Sequence, residues 1–543
     1  MVARWSRYWF GADGRHSAAI ARIAVALSLL ILLHAIRHYG VTPPAPTGPY
    51  RPIGVLLLLP FEPSSLVVKA MWWAALVAGI ALLGGVATRL ASIVALAAGL
   101  VLGGMFYAYR DHWSHEFNAT LLGLLILVGA PTADVWSIDA WRRARRGEAP
   151  PPPRPSIWVG RLVMLTVGLM MASAGFSKLL SGGMSLDWAL SDNLRHQILV
   201  RFDLGGVPRT ALASWLLEEP WRWKLAALGN LGAQLAPLIA AFVIRRPWVR
   251  AACGLVFATE VAALWFVMGF WDPWWYPLAL VFIDGDRVVG WWRTRRGPAD
   301  AAVGAVPAAA APGVAPAHLH TRVLVALYVA VSVVIGFWHW PLLDQRLRLH
   351  PFSSFPMFAS IRAVPPYDQH LSYELLEGQI AVVAAPTATA TEASALATWA
   401  AGRGDARALV RARTPARIEA ALRALRAEAP AGLAEVSLEL RARRAAPHPA
   451  PARFVLDAVA TFGAIDAAGH ITHRLGRLGR VGGTWVIRDL PAAPELAWYA
   501  NGALSPLMPG SAADDVAVPL PRGPGLVLAR VAARWFVVAD KRR

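Results

Sequence analysis

Long apolar segments dominate this chain and limit what it can fold into. A membrane-spanning helix needs about 20 apolar residues, and several segments reach or approach that length. They lie roughly at 17–38, 65–86, 88–108, 117–133, 156–178, 224–244, 248–270, 273–288 and 320–340. With 56% hydrophobic residues in 543 positions, the chain is too apolar for a water-soluble protein. The sequence therefore predicts an α-helical polytopic membrane protein with about nine transmembrane helices.

Basic residues are concentrated in five of the connecting segments. These segments precede the first predicted helix, separate the second from the third, the fourth from the fifth and the sixth from the seventh, and follow the eighth. With nine crossings all five lie on one side, which the positive-inside rule makes cytoplasmic. We expect an inner-membrane protein with a cytoplasmic N-terminus. The first apolar run lacks a small-residue cleavage site and is expected to remain as an anchor.

Composition divides the chain into four parts. Residues 1–296 contain the first eight predicted helices, 297–319 form an Ala/Pro-rich cytoplasmic linker, 320–341 form the last helix, and 342–543 form an extracytoplasmic α+β domain. Within the last part, residues 406–429 predict one or two amphipathic helices with a break near Pro415. Strands are predicted in 452–466, 483–490 and 525–540.

Several classes of function are excluded or not expected. The formal net charge is +19, but no basic face is interleaved with aromatic residues, so a nucleic-acid partner is not expected. Cys253 is the only cysteine, which excludes an internal disulfide and cysteine-ligated metal sites. No metal site is expected at His112 and His115, because no acidic or histidine partner follows at a defined spacing.

Lys178 is the most informative polar residue of the apolar segments. It ends the fifth predicted helix, where an ionisable group is costly and therefore indicates a function. The alternative is a lysine whose stem follows lipid while its ammonium reaches the headgroups. Glu260 and Gln234 lie in the middle of predicted helices. Glu260 requires a partner, a proton or a water-lined cavity, whereas Gln234 can simply bond to a neighbouring helix.

Other titratable and aromatic residues fall on the predicted outer face. They are Arg110, Asp111, His112, His115, Glu116, Asn118, Asp187, Trp188, Arg195, His196, Trp271, Asp272, Trp274, Trp275, Tyr276, His339 and Trp340. For most of the tryptophans we favour an interfacial aromatic belt. For His112 and His115 a solvated loop is the alternative to a functional site.

Two stretches together resemble a known family. Residues 111–143, DHWSHEFNATLLGLLILVGAPTADVWSIDAWRR, resemble a block of polar loop, apolar helix and closing W-S-[VIL]-D. Residues 172–188, ASAGFSKLLSGGMSLDW, resemble the block A-G-x-x-K-L … D-W that follows it. In this order they are similar to the HTTM domain shared by vitamin K-dependent gamma-carboxylases and their bacterial relatives. The resemblance covers about residues 15–290.

This resemblance implies a membrane carboxylase. Its cofactor would be a reduced quinone of the vitamin K or menaquinone type, used with oxygen and carbon dioxide at the outer face. Its partners would be the lipid bilayer, the quinone and a secreted protein or peptide that carries the modified glutamates. Lys178 would be the catalytic base, so its pKa would have to fall from about 10.4 to near 7.

The resemblance also implies roles for other residues. His115 and Asn118 lie where the family has a histidine that assists carbon dioxide addition. Residues on the outer face, together with one mid-helix glutamate, would bind substrate or quinone: His112, Asp187, Trp188, His196, Glu260, Trp271 and Trp275.

The chain departs from the carboxylase pattern at defined positions. Where the carboxylases usually have two adjacent lysines, this chain has Ser177 before Lys178. Several extra residues separate Lys178 from Asp187, and ungapped matching aligns Asn118 with the family histidine. Residues 349–360, LHPFSSFPMFAS, resemble bacterial relatives of unassigned chemistry. Two other functions therefore stay open: a quinone-linked enzyme with a different reaction, and a non-enzymatic membrane binding or assembly protein.

Overall fold

The structure is a computed structural model of the chain. It describes residues 2–11, 13–43, 50, 52–59, 61–108, 115–181, 184–199, 201–202, 208–243, 246–295, 317–337, 374–402, 415–445, 454–473, 477–481, 484–488, 495–500, 503–507, 516–521, 525–531 and 534–540. Contacts divide the chain into two compact units, residues 1–190 with 207–361 and residues 191–206 with 362–543. Each unit is described by itself.

The first unit is built from helices. They are α1 (Val2–Phe10), α2 (Arg15–Ala35), α3 (His38–Val41), α4 (Ser65–Gly84), α5 (Thr88–Ala108), α6 (Asn118–Val128), α7 (Ile138–Arg145), α8 (Ile157–Ser181), α9 (Asp187–Leu190), α11 (Ala211–Glu218), α12 (Pro220–Phe242), α13 (Pro247–Met268), α14 (Gly285–Arg295) and α15 (Leu319–Phe337), with α10 (Asn193–Leu199) assigned to the second unit. Two 3-10 helices, Gly54–Leu58 and Pro273–Phe282, complete the first unit.

Six described helices are long and apolar enough to cross a membrane: α2, α4, α5, α8, α12 and α13. They coincide with six of the predicted spans. Two of the other three predicted spans, 117–133 and 273–288, are shorter in the structure. α6 has 11 residues, or about 17 Å at 1.5 Å per residue, which is about half the hydrocarbon thickness. The 3-10 helix Pro273–Phe282 has 10 residues. The last predicted span, 320–340, coincides with α15, which is described over Leu319–Phe337.

Hydrogen bonds and ring contacts gather the basic segments at one end of this helical unit. At the start of α2, the His16 amide donates to Asp286 Oδ1 of α14 at 3.0 Å. The His16 ring also lies 5.2 Å from the ring of Trp136, which precedes α7. The Ala87 amide, between α4 and α5, donates to Asp139 Oδ2 of α7 at 2.8 Å.

The turn between α12 and α13 joins the same end. Arg250 Nη1, in the first turn of α13, lies 3.3 Å from Asp284 Oδ2, just before α14. Among the described residues, all five basic segments therefore contribute contacts at one end of the helical unit. Consequently α6 and the 3-10 helix Pro273–Phe282, although short, lie in stretches of chain that return to this end.

The second unit contains two β-sheets and two described helices besides α10. The helices are α16 (Ala390–Gly402) and α17 (Pro415–Glu428), and the strands are β1 (Glu374–Ala384), β2 (Leu433–Ala445), β3 (Phe454–Asp466), β4 (Ile471–His473), β5 (Arg477–Val481), β6 (Thr484–Arg488), β7 (Glu495–Ala500), β8 (Ala503–Leu507), β9 (Val516–Val518), β10 (Leu526–Val531) and β11 (Arg534–Asp540). The larger sheet has the order β1-β2-β3-β11-β10-β7-β8, with β4 paired to β3, and the smaller has the order β5-β6-β9.

Alternating side chains of β10 explain how the larger sheet is buried. Leu526 and Leu528 belong to one hydrophobic cluster, which includes Ile418 of α17, whereas Val527 and Ala529 belong to another. This is the period of two that a strand with two covered faces requires. The predicted strand regions 452–466, 483–490 and 525–540 contain β3, β6 and the β10–β11 hairpin. A C-terminal sheet region is thus confirmed.

Some sequence predictions lie outside the described residues. They concern Arg110, Asp111 and His112, nearly all of the 297–319 linker, His339 with Trp340, the 349–360 motif, and residues 406–414 of the predicted amphipathic helices.

Candidate functional site: a buried lysine cluster

α8 is enclosed by protein. Of its apolar section, 94% is buried inside the structure, and Lys178, in its last turn, is 1% exposed. A snorkelling lysine would expose its ammonium, so that alternative does not hold here. Lys178 is therefore a buried ionisable group that needs polar partners.

Two amide side chains of α12 supply those partners. Lys178 Nζ donates to Asn230 Oδ1 at 2.7 Å and to Gln234 Oε1 at 2.7 Å. Residues four apart lie on the same face of a helix, so α12 presents both oxygens to one atom. On a further side, Nζ lies 4.5 Å from the centre of the Trp188 ring. This distance places a lysine nitrogen within reach of the ring's negative face.

Glu260 of α13 lies on the other side of the amides. Its Oε1 accepts hydrogen bonds from Asn230 Nδ2 and from Gln234 Nε2, the latter at 3.2 Å. Each amide thus gives its oxygen to Lys178 and its NH2 group to Glu260. This network fixes the orientation of both amides. We call these five residues, Lys178, Trp188, Asn230, Gln234 and Glu260, the lysine cluster.

Close packing of α8 on α12 makes the cluster possible. A Cβ atom at Gly168 would lie 3.0 Å from Leu238 Cα, and one at Gly175 would lie 3.1 Å from Leu235 Cδ2. Gly175 is one turn before Lys178, so its missing side chain lets α12 approach at the level of the amine. Small residues allow membrane helices to pack this closely.

The cluster can change its internal charges without changing its total charge. An ammonium with a carboxylate sums to zero, and so does a neutral amine with a carboxylic acid. A net charge in an apolar interior would cost far more than either neutral arrangement. Lys178 can therefore lose a proton at little electrostatic cost, provided that Glu260 gains one.

Three of the predicted site residues belong to the lysine cluster: Lys178, Trp188 and Glu260. Asp187, which precedes Trp188, begins α9, and its amide donates to Ser185 Oγ at 3.1 Å. Trp271 is 54% exposed and packs against Trp265 with ring centres 5.0 Å apart. This exposure is typical of the interfacial aromatic belt.

The remaining predicted residues lie elsewhere in the fold. Trp275 is buried in the hydrophobic core of the first unit. His115 and Asn118 flank the start of α6, where Asn118 is fully buried. His196 lies on α10, in the second unit, and burial together with Arg195 lowers its pKa to about 3. Its imidazole is therefore neutral at physiological pH.

Sequence reasoning missed Asn230. Its signal was present, because Asn230 and Gln234 form an i, i+4 pair of amides in the part of α12 that follows Lys224, where the other residues are apolar or glycine. Among the described residues, no group of three or more His, Cys, Asp or Glu side chains is placed to hold a metal ion.

The W-S-I-D stretch supports the fold. Ser137 Oγ accepts from the Ala140 amide at 2.9 Å and so caps α7. Asp139 binds the Ala87 amide of the α4–α5 turn. Arg22, fully buried on α2, donates to the Trp136 carbonyl. These contacts give Trp136, Ser137 and Asp139 structural roles, and none of them requires a catalytic role for this stretch.

No protein-family model, curated protein or solved structure matches the chain. The HTTM resemblance therefore rests on the two sequence stretches alone.

Proposed function

We propose that this protein is a membrane enzyme in which Lys178 acts as a base toward a reduced quinone, in a carboxylase-like reaction. The observation that carries this proposal is the buried Lys178 amine, held by two amide oxygens that are themselves bonded to Glu260. A base must be neutral before it takes a proton. The cluster offers Glu260 as the acceptor of the proton that Lys178 must first lose.

The chemistry of the cluster fits a reduced quinone. A neutral amine has two N–H bonds, which match the oxygens of Asn230 and Gln234 and leave its lone pair to accept a proton. Trp188 adds an aromatic surface beside the amine, of the kind that stacks on planar rings. When bound, the reduced quinone would supply, with oxygen, the strong base needed to remove a γ-proton from glutamate. Lys178 would take the quinone hydroxyl proton, and the positive charge that it gains would be balanced by the negative charge left on the quinone oxygen. The proton that Glu260 accepted from Lys178 beforehand would stay on Glu260 in this step.

For the topology we propose nine crossings, a cytoplasmic N-terminus and a C-terminal domain outside the cytoplasm of an inner membrane. The meeting of all five basic segments at one end supports this arrangement. Under this topology, a protein or peptide substrate would approach from outside.

The test uses the purified protein in nanodiscs, a reduced menaquinone, isotope-labelled bicarbonate and a glutamate-rich peptide. Incorporation of label that requires the quinone and is lost in Lys178→Met supports the proposal. Mass analysis of co-purified lipids provides a second measurement. Bound quinone without incorporation of label would indicate a quinone-linked enzyme with a different reaction.

One observation favours a non-enzymatic alternative. Asn230, Gln234 and Trp188 satisfy three directions around Nζ, which is the full requirement of an ammonium. Such a cluster could serve only to hold α8, α12 and α13 together in a binding or assembly protein. Neither quinone nor label, with a polypeptide that co-purifies stoichiometrically, would support that alternative.

A further inference from the structure

Two short helices at the basic end share an arrangement that the proposed chemistry does not use. In α7, the Arg145 guanidinium carbon lies 4.2 Å from the centre of the Trp141 ring. In α14, the Arg295 guanidinium carbon lies 4.0 Å from the centre of the Trp291 ring. In both helices the arginine follows its tryptophan by four residues, in the last turn. We call these four residues the basic collar.

The tryptophans of the collar lie on the surface. Trp141 is 53% exposed and Trp291 is 50% exposed, and α7 has no buried residue. A helix face solvated by water would not be expected to expose tryptophan. A face that lies at the membrane boundary would, because the indole ring has an apolar body and a polar N–H group.

Contacts at the helix starts place the collar beside a membrane-spanning helix. His16, at the first turn of α2, contacts Asp286 of α14 and the Trp136 ring before α7. Both helices therefore begin at the same end of α2, where a spanning helix emerges from the hydrocarbon. Headgroups of the adjoining leaflet occupy this level of a bilayer.

Charge complementarity identifies the headgroup class. The acidic residues at the helix starts are engaged: Asp139 accepts the Ala87 amide, and Asp286 accepts His16 and the Ser17 hydroxyl. The arginines lie at the opposite helix ends. A guanidinium that stacks on an indole face still presents its N–H edge, which matches a phosphate oxygen pair.

We propose that the basic collar binds anionic phospholipids, with Arg145 and Arg295 holding the headgroup phosphates and Trp141 and Trp291 lying along the acyl boundary. An arginine near an anionic lipid surface contributes about 1 kcal/mol, or roughly a fivefold change in binding. Loss of both arginines should therefore lower retention of anionic lipid by about tenfold or more. The inference is independent of the reaction at Lys178.

The experiment places the full-length protein in nanodiscs made of equal amounts of phosphatidylglycerol and phosphatidylcholine. Native mass spectrometry then measures the ratio of the two lipids that stay bound. We expect phosphatidylglycerol to be enriched on the wild-type protein and the enrichment to be lost in Arg145→Gln/Arg295→Gln. Equal enrichment in the wild type and this variant would overturn the proposal.

The chain offers a matched control. Arg222 lies 4.6 Å from the Trp215 ring, and Arg530 lies 5.9 Å from the Trp535 ring. Arg222→Gln/Arg530→Gln therefore removes two stacked arginines, and two charges, that do not belong to the collar. This variant should retain the wild-type enrichment. An equal loss in both variants would mean that net charge, and not the collar, selects the lipid.

The wild-type protein gives a measurement that depends on no substitution. Enrichment of phosphatidylglycerol should fall as the salt concentration rises, while soluble glycerol phosphate at the same molar concentration as the lipid should not displace it. Displacement by glycerol phosphate would show an anion site without a lipid requirement and would contradict the proposal. Enrichment that is unaffected by salt would contradict it as well.

Discussion

At the scale of single residues, the central feature is a lysine and a glutamate that meet only through amides. Lys178 and Glu260 are both nearly inaccessible, and Asn230 and Gln234 lie between them with oxygens toward one and NH2 groups toward the other. The sequence alone identifies Lys178 and Glu260 as costly positions. The sequence does not show that Lys178 and Glu260 belong to the same hydrogen-bond network.

Replacement of Lys178 separates a catalytic from a structural lysine. We expect Lys178→Arg to lower carboxylation by about 100-fold or more, because a guanidinium stays protonated and is no base. Lys178→Met should lower it similarly. The measurement is quinone-dependent incorporation of labelled bicarbonate. Full activity in Lys178→Arg would end the catalytic interpretation.

A double-mutant cycle tests the pairing of Lys178 with Glu260 without an activity assay. Lys178→Met leaves the carboxylate without its cation, and Glu260→Gln leaves the ammonium without its anion. Each single change should cost about 3 kcal/mol of the free energy of unfolding. The double variant removes both charges and should cost clearly less than the sum of the two. Thermal unfolding in detergent measures this coupling, and additive costs would show that the two residues are independent.

At the scale of elements, close approach of α8 and α12 forms the site. Gly168 faces the α12 backbone, where the nearest atoms to an added Cβ are Leu238 Cα at 3.0 Å and the Pro237 carbonyl oxygen at 3.1 Å. Backbone atoms can move less than the ends of side chains to make room for an added methyl group. The geometry of the lysine cluster thus depends on a glycine three turns away from Lys178.

Gly168→Ala should push α8 away from α12. We expect a loss of about 1–3 kcal/mol in the free energy of unfolding, together with lower carboxylation activity. Gly229→Ala is the matched control, because it changes a helical glycine of α12 whose added Cβ meets nothing within 4 Å. That control should be neutral or stabilising by up to about 1 kcal/mol. The measurement is thermal unfolding of both variants, and equal melting temperatures would argue against tight α8–α12 packing.

Asp286 gives an element-scale prediction about pH. Burial favours its neutral form, but hydrogen bonds from His16 and Ser17 outweigh burial and lower the pKa to about 2. A carboxyl group whose pKa is lowered by folding stabilises the folded state at pH values above its ordinary pKa, which is 3.8 here. This stabilisation is lost as the pH falls through the folded-state pKa of about 2. Asp286→Asn should therefore unfold at a lower temperature than the wild type at neutral pH. The difference in unfolding temperature between the two proteins should be largest above about pH 4 and should lose most of its size between about pH 4 and pH 2. A constant difference across that range would contradict a lowered pKa at Asp286.

At the scale of the whole molecule, the positions of the basic segments predict topology. A fluorescent reporter that matures only in the cytoplasm, fused after Arg543, should stay dark if the C-terminal domain lies outside. Fusion of the same reporter before Met1 is the control and should be bright. Fluorescence at Arg543 would reverse the proposed arrangement of the membrane unit.

Local sequence patterns were enough to predict the long helices and several of the strands. Hydropathy over about 20 residues predicted the six long helices, and alternation predicted strands such as β3 and β11. Both patterns depend on near neighbours in the chain, so they can be recognised without the fold. The segments 117–133 and 273–288 were already the shortest of the nine predicted spans. Their hydropathy did not show that only 11 residues of the first form α6 and only 10 of the second form the 3-10 helix Pro273–Phe282, because hydropathy does not depend on where a helix ends.

The candidate site was decided by tertiary structure. Lys178 finds its hydrogen-bond acceptors 52 and 56 residues further along the chain, and His16 finds Asp286 at a separation of 270 residues. The sequence by itself determined which polar groups stand in costly apolar surroundings. Only the packing of α8, α12 and α13 determined how that cost is offset, because the partner of a buried charge is set by which helix faces meet in space.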